Sequence, residues 1–231
     1  MAQRPIFCPN PANAPAGWVK RIMIDFKWHP GMAAVQKKKN IAALHAAAAA
    51  QGIAPILEIS TKSEIELGRR LSAFNLKVKV DDVGWAPLES AFQGSKVFAG
   101  GGPFSDLYRQ DAQAAKKDSR LKCSGTLQAF EFAGHRWPLA PQTAFYDWLY
   151  LRALQSMGGL YDQLTGFGGF TDIEFNPKKS INCQAGACAL FVALCRREKL
   201  AAAMAGREAF LDMMGRDAPA RPARFAQVAL I

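Results

Sequence analysis

Glu89, Gln93 and Lys96 stand at i, i+4 and i+7 in the run Leu88-Glu89-Ser90-Ala91-Phe92-Gln93-Gly94-Ser95-Lys96-Val97-Phe98. On a helix that spacing puts all three side chains on one face. A carboxylate, an amide and an amine within reach of one another are the parts of acid–base chemistry. The plain alternative is a solvated polar stripe, worth roughly a few tenths of a kcal/mol. Gly100-Gly101-Gly102-Pro103 follows, then Phe104-Ser105-Asp106-Leu107-Tyr108. Glycines allow backbone N–H groups to come close to a phosphate.

Two more segments hold polar groups in unusual company. Asp147 lies among Phe145, Tyr146, Trp148, Leu149 and Tyr150, a few residues after Trp137. A carboxylate inside an apolar helix is costly unless paired, which makes Asp147 a functional candidate or a structural acid paired with Arg152 or Arg120. In residues 170–184, Asp172, Glu174, Asn176, Lys178, Lys179, Ser180 and Asn182 crowd together ahead of an apolar helix. A helix N-terminus can receive an anion, although an exposed polar loop reads the same way.

Several other chemistries lack their signatures. The chain has no Gly-x-x-x-x-Gly-Lys-[Ser/Thr], no Gly-x-Gly-x-x-Gly and no Gly-x-Ser-x-Gly. Its three histidines, His29, His45 and His135, are far apart and in no metal-ligand spacing, so each is expected to be structural. Neither a metal nor a cofactor is expected. The five cysteines include no Cys-x-x-Cys pair, which fits a reduced, cytoplasmic setting better than a disulfide framework.

The elements that must position these groups are legible in part. Residues 1–20 carry Pro5, Pro9, Pro11 and Pro15 and are expected to form an extended arm. Helical spacing predicts helices over 32–50, 88–98, 110–120, 143–154 and 185–200, and a shorter one over 207–214. Ser63-Glu64-Ile65-Glu66 has the capping-box form and predicts a helix to about Leu71. Strands are expected at 56–59, 77–80 and 129–132, the second with alternating Lys77-Val78-Lys79-Val80. Residues 167–179, with Gly168-Gly169 and Asn176-Pro177, read as a loop. The fold class is therefore mainly α with a few short β-strands, a minor α+β component. It is read as a single domain over 21–215, followed by a loose tail over 216–231.

Composition bounds the partner. The chain has 231 residues, is 50% hydrophobic and 21% charged, and carries 29 Lys+Arg against 19 Asp+Glu, a formal net charge of +10. Its pI is about 9.6 and its mean hydropathy −0.05. No apolar run reaches the ~20 residues of a membrane span, so no membrane partner is expected. The basic excess favours encounter with polyanions such as nucleic acid or a nucleotide.

Taken together, the segments 88–108, 137–150 and 170–185 resemble the NADAR family, in the branch that accompanies DarT-type toxins. Phe104-Ser105-Asp106-Leu107-Tyr108 stands for the family's Phe-Ser-Asn-Phe-Tyr element, with Asp for Asn. Glu89 to Lys96 is the nearest form of its Glu-x-x-x-x-Gln-x-x-Lys element, one residue shorter and placed before the Phe-Ser element. The resemblance implies a NADAR-like domain that cleaves an N-glycosidic bond next to a phosphorylated ribose. For the toxin-associated branch it implies an ADP-ribosyl glycohydrolase, an antitoxin that removes ADP-ribose from guanine in DNA modified by a DarT-type ADP-ribosyltransferase. Its partners would be ADP-ribosylated single-stranded DNA, ADP-ribose and the cognate toxin.

On that reading Glu89 and Asp147 are the candidates for the acid–base roles, with Asp172 in reserve. Lys96 either binds phosphate or attacks the opened ribose as a Schiff base. Gln93, Ser95, Gly101, Gly102, Ser105, Asp106, Asp172 and Asn182 would bind the ligand. Trp137 or Trp148 would stack on adenine or guanine. Three other readings stay open: an N-glycosidase for a phosphorylated riboflavin or pyrimidine precursor, a non-catalytic single-strand-binding module, and an antitoxin that blocks its toxin by contact.

Overall fold

The computed structural model describes residues 1–14, 17–178 and 180–216. In chain order the elements begin with β1 (Ala2–Pro9), β2 (Val19–Phe26), α1 (Ala34–Ala49), β3 (Ile56–Glu58) and α2 (Glu66–Arg70). Next come β4 (Lys77–Val80), β5 (Gly84–Pro87), α3 (Leu88–Gly94), β6 (Lys96–Phe98) and a 3-10 helix (Ser105–Arg109). Then follow α4 (Ala112–Lys117), α5 (Arg120–Cys123), β7 (Leu127–Phe132), β8 (His135–Trp137), α6 (Ala144–Gln155) and α7 (Leu160–Leu164). The last are β9 (Gly169–Thr171), α8 (Gln184–Arg196), α9 (Leu200–Ala203) and α10 (Arg207–Arg216). The chain divides into two compact units. Met1–Ser72 and Gly159–Ala201 belong to the first, Ala73–Gly158 and Ala202–Arg216 to the second.

The first unit is built on a four-stranded sheet ordered β2-β1-β9-β3. β1 pairs with β2 along its whole length but meets β9 only at Phe7 opposite Phe170. With most of that second side free of ladder bonds, Pro5 and Pro9 fit the strand. β9 runs parallel to β3, with Glu58 opposite Thr171. Gly169 is required there: a Cβ would lie 2.7 Å from Ile6. Ile41, Leu44 and Ala48 of α1 pack with Ile6, Ile24 and Phe26 of the sheet. α8, apolar nearly all round, packs on β1 and β9.

The second unit holds the antiparallel sheet β6-β7-β8 and the two-stranded ribbon β4-β5. Ala133 and Gly134 join β7 to β8 with φ of 50° and 72°, the conformation of a tight two-residue hairpin. Rings from β7, β8, α3, α6 and α10 make the core. Phe130 stacks on Phe145 at 4.7 Å, Trp137 lies 4.7 Å from Trp148, and Phe92 meets Tyr146 edge-on at 5.1 Å. Such pairs add about 0.5–1.5 kcal/mol each beyond area burial. Every residue of α3 is buried, Glu89 and Gln93 included.

The mainly α architecture is corrected to α+β, because nine strands in three sheets are present among the described residues. The reason is strand length. β3, β6 and β9 have three residues each, all buried, and such runs carry no alternation to tell strand from helix. The helix over 88–98 stops at Gly94, and Lys96–Phe98 is strand. The loop over 167–179 contains β9, and the arm over 1–20 begins with β1. The capping box is corrected as well: Ile65, not Ser63, is the N-cap of α2, with no side-chain cap. Arg69 instead donates to the carbonyls of Ser63 and Glu64. Of the tail expected over 216–231, residues 217 onward lie outside the described residues. No described helix is long and apolar enough to cross a membrane.

Candidate active site

The second unit brings Glu89, Gln93 and Lys96 together, though not on one helix. Glu89 sits in the first turn of α3, where the helix dipole favours a carboxylate. Its backbone N–H donates to Ala73 O at 3.0 Å. One turn on, Gln93 Nε2 donates to Glu89 Oε1 at 2.9 Å. The other amide atom, Gln93 Oε1, is buried with no hydrogen-bond partner among the described residues. Lys116 Nζ of α4 reaches Glu89 Oε1 at 3.7 Å from a more exposed position.

Lys96 opens β6, opposite Phe130 in register, and is 1% exposed. Its Nζ lies over the Phe92 ring, 5.0 Å from the centroid. Burial lowers the amine to about 8; the Glu89 carboxylate opposes that shift and the Lys116 charge adds to it. A lysine in such surroundings is partly unprotonated near neutral pH, which a solvated lysine is not.

The glycine turn holds this lysine in place. Gly102 has φ +95°, and a Cβ on it would lie 2.3 Å from the Lys96 carbonyl oxygen. Phe98 N donates to Gly101 O at 2.7 Å. Gly94 faces Tyr108, whose ring a Cβ would meet at 2.6 Å. Ser95 Oγ donates to Ala91 O at 2.7 Å and lies 3.1 Å from Tyr108 Oη. Ser105 and Asp106 are exposed on the 3-10 helix. Arg120 grips Asp106 at 2.7 and 3.1 Å, holds Asp118, and stacks on Phe104 at 4.7 Å.

Asp147 accepts from Thr143 Oγ1 of its own helix at 2.6 Å. Burial raises its carboxyl to about 7, and the Thr143 hydroxyl opposes the shift. Trp137 and Trp148 face each other inside the aromatic core, 1% and 9% exposed. Burial against neighbouring rings, rather than an open stacking face, is what their sequence spacing encoded.

Asp172 and Asn182 belong to the first unit, and Asp172 sits in a different constellation. Thr171 Oγ1 donates to Glu58 Oε2 at 2.7 Å, and Ile173 N donates to Glu58 Oε1 at 2.9 Å. His45 Nε2 lies 2.8 Å from Thr171 Oγ1. Asp172 accepts from Glu174 N and from Gln184 Nε2 of α8, each at 2.9 Å. Burial, then the neighbouring Glu58 charge, raises Asp172 to about 8. Glu58 is raised as well, chiefly by burial. Burial lowers His45 to about 4, so it is neutral near pH 7. With Thr171 donating to Glu58, a neutral His45 donates from Nε2 to Thr171 Oγ1. Sequence reasoning missed Glu58, His45 and Thr171 as a set. The signal available was a charged residue closing the apolar run Ile56-Leu57. No group of three or more His, Cys, Asp or Glu placed to hold a metal ion occurs among the described residues.

The second unit thus defines a class of protein: an α+β scaffold that buries a carboxylate, an amide and an amine of lowered pKa beside one another, the equipment of acid–base chemistry. The family model of the DarT1-associated NADAR antitoxins matches residues 2–223, and the chain belongs to that family. No curated protein matches it.

Proposed function

We propose that the chain is an ADP-ribosyl glycohydrolase that frees guanine in DNA from ADP-ribose and so acts as antitoxin to a DarT-type DNA ADP-ribosyltransferase. The observation that carries the chemistry is Lys96, 1% exposed and brought to about 8 beside Glu89. The family match supports the antitoxin role. The net charge of +10 suits a diphosphate on a DNA strand.

Cleavage at the anomeric carbon develops oxocarbenium character and leaves electron density on the departing guanine. Glu89, steered by Gln93, faces the positive charge and takes a proton from the attacking water. Lys96 works at the reacting carbon rather than at the phosphates, because its amine is buried over Phe92. An amine near 8 has two uses there. Protonated, it hands its proton to the leaving guanine; unprotonated, it attacks C1 of the ring-opened sugar, its new C1–N bond replaces the one to guanine, which leaves with a proton, and water then hydrolyses the lysine imine to free ADP-ribose and the amine. Borohydride separates the two, since reduction fixes only the imine as a covalent adduct. Asp147, near 7, is a second acid–base group for the same unit.

The test is release of ADP-ribose from single-stranded DNA carrying ADP-ribosyl-guanine. Wild type should restore unmodified DNA, and Glu89→Gln and Lys96→Met should each slow release by about a hundredfold or more. Wild-type rates in both variants would remove the cluster from the chemistry. Cleavage of phosphoribosyl pyrimidines with none of modified DNA would overturn the substrate.

A further inference from the structure

The β4–β5 ribbon of the second unit has one face with no partner. Val78, Val80 and Ala86 point inward and are buried, whereas Lys77, Lys79 and Trp85 point outward and are exposed. Lys79 pairs directly with Trp85 in the antiparallel register. Directly opposed residues share a face with Cβ atoms about 5 Å apart, and Lys77 stands on that face roughly 7 Å along the strand.

Trp85 differs from the other tryptophans of the chain. Arg197 lies over Trp18 and Arg4 over Trp28, and Trp137 and Trp148 pack on each other. Trp85 is 55% exposed, and among the described residues no ring or cation stacks on it. Lys77 and Lys79 have no ion-pair partner among those residues. The acids nearest in sequence, Asp81 and Asp82, lie in the exposed turn beyond the strand, where Arg109 donates to Asp82 O at 3.2 Å.

We infer that the outer face of the β4–β5 ribbon binds single-stranded DNA, with an unpaired base stacked on Trp85 and the adjoining phosphates held by Lys77 and Lys79. An open indole beside two unpaired ammonium groups suits an unstacked strand: every base offers a π-face, and each phosphate offers a charge. A duplex keeps its bases stacked and leaves the indole without a partner. The ribbon's inner face packs on α3 and α6, so the outward side chains rest on a fixed support. The inference rests on the proposed function for its view of DNA as substrate, and its test is separate.

The probe is an unmodified, fluorescein-labelled single-stranded 12-mer, titrated with the full chain and followed by anisotropy. Trp85→Ala should weaken binding about five- to a hundredfold, the range of one lost base–aromatic stack, and Trp85→Phe should recover most of it. Lys77→Gln with Lys79→Gln should lower the slope of log K against log salt by about 1.4, two phosphate contacts on a single strand. All three variants should melt as wild type does, because the changed side chains are exposed. Wild-type affinity in Trp85→Ala, or no binding by wild type, overturns the inference even if modified DNA is cleaved. Trp85-dependent binding without release of ADP-ribose supports the ribbon and overturns the proposed function instead.

Discussion

Glu89 and Glu58 are both buried glutamates, 7% and 2% exposed, and their neighbours make them different chemical groups. Around Glu89 stand an amide and two amines: Gln93 at 2.9 Å, Lys116 at 3.7 Å, and the charge of Lys96. Around Glu58 stand two hydroxyls, Thr171 and Ser60, a backbone N–H and a second acid, Asp172. Cations keep a buried carboxylate available as a base. A second carboxylate favours the neutral acid, because two like charges are costly in a medium that screens poorly. Burial alone therefore does not tell the two sets apart; the sign of the neighbouring charge does.

The sharpest way to break this contrast is to neutralise each glutamate. Glu89→Gln should slow ADP-ribose release by about a hundredfold or more, whereas Glu58→Gln should leave the single-turnover rate within about threefold. Equal losses in both would end the distinction. Next in size is the pH profile. Release should bend near pH 8 through Lys96, and Lys96→Met should lose that bend together with its activity.

The support beneath Lys96 comes third. Gly102→Ala would place a methyl against the Lys96 carbonyl at a φ that alanine tolerates poorly. It should cost about 1–3 kcal/mol, read as a lowered denaturant midpoint. The smallest effect is on pH-dependent stability, and it has opposite signs for Asp172 and Lys96. The Asp172 carboxyl is raised in the folded state, so its contribution is present at low pH and is lost as pH rises through about 8. The Lys96 amine is lowered, so its contribution is lost as pH falls through about 8 and is complete above the ordinary lysine value. Hydrogen exchange, corrected for its intrinsic pH dependence, should show β3 and β9 losing protection between pH 7 and 9 relative to β6 and α3. Asp172→Asn should abolish that loss.

The three long helices were legible because their apolar residues recur over three or more turns: α1, α6 and α8 fall within a few residues of the ranges their spacing predicts. β4 was legible through two-residue alternation with one wet face. Glu89 and Gln93 were legible as an i, i+4 pair. The i, i+7 spacing predicts Lys96 as the third member of that helical stripe, but α3 ends at Gly94 and Lys96 stands on a strand. β9 was hidden by Gly168 and Gly169, which look like loop, although Gly169 in fact lets Ile6 come close. Glu58 was hidden because, Ser60 apart, its partners Thr171, Ile173 and Asp172 lie more than a hundred residues away in the chain.

By itself the sequence determined the basic charge, the long helices, the family and the carboxylate–amide pair, because each is encoded in composition or in spacing of a few residues. Tertiary structure decided the three sheets, the burial of Lys96 and the partition of the acids into a set beside cations and a set beside each other. Those outcomes depend on which distant segments share a low-dielectric interior, and local periodicity carries no record of that.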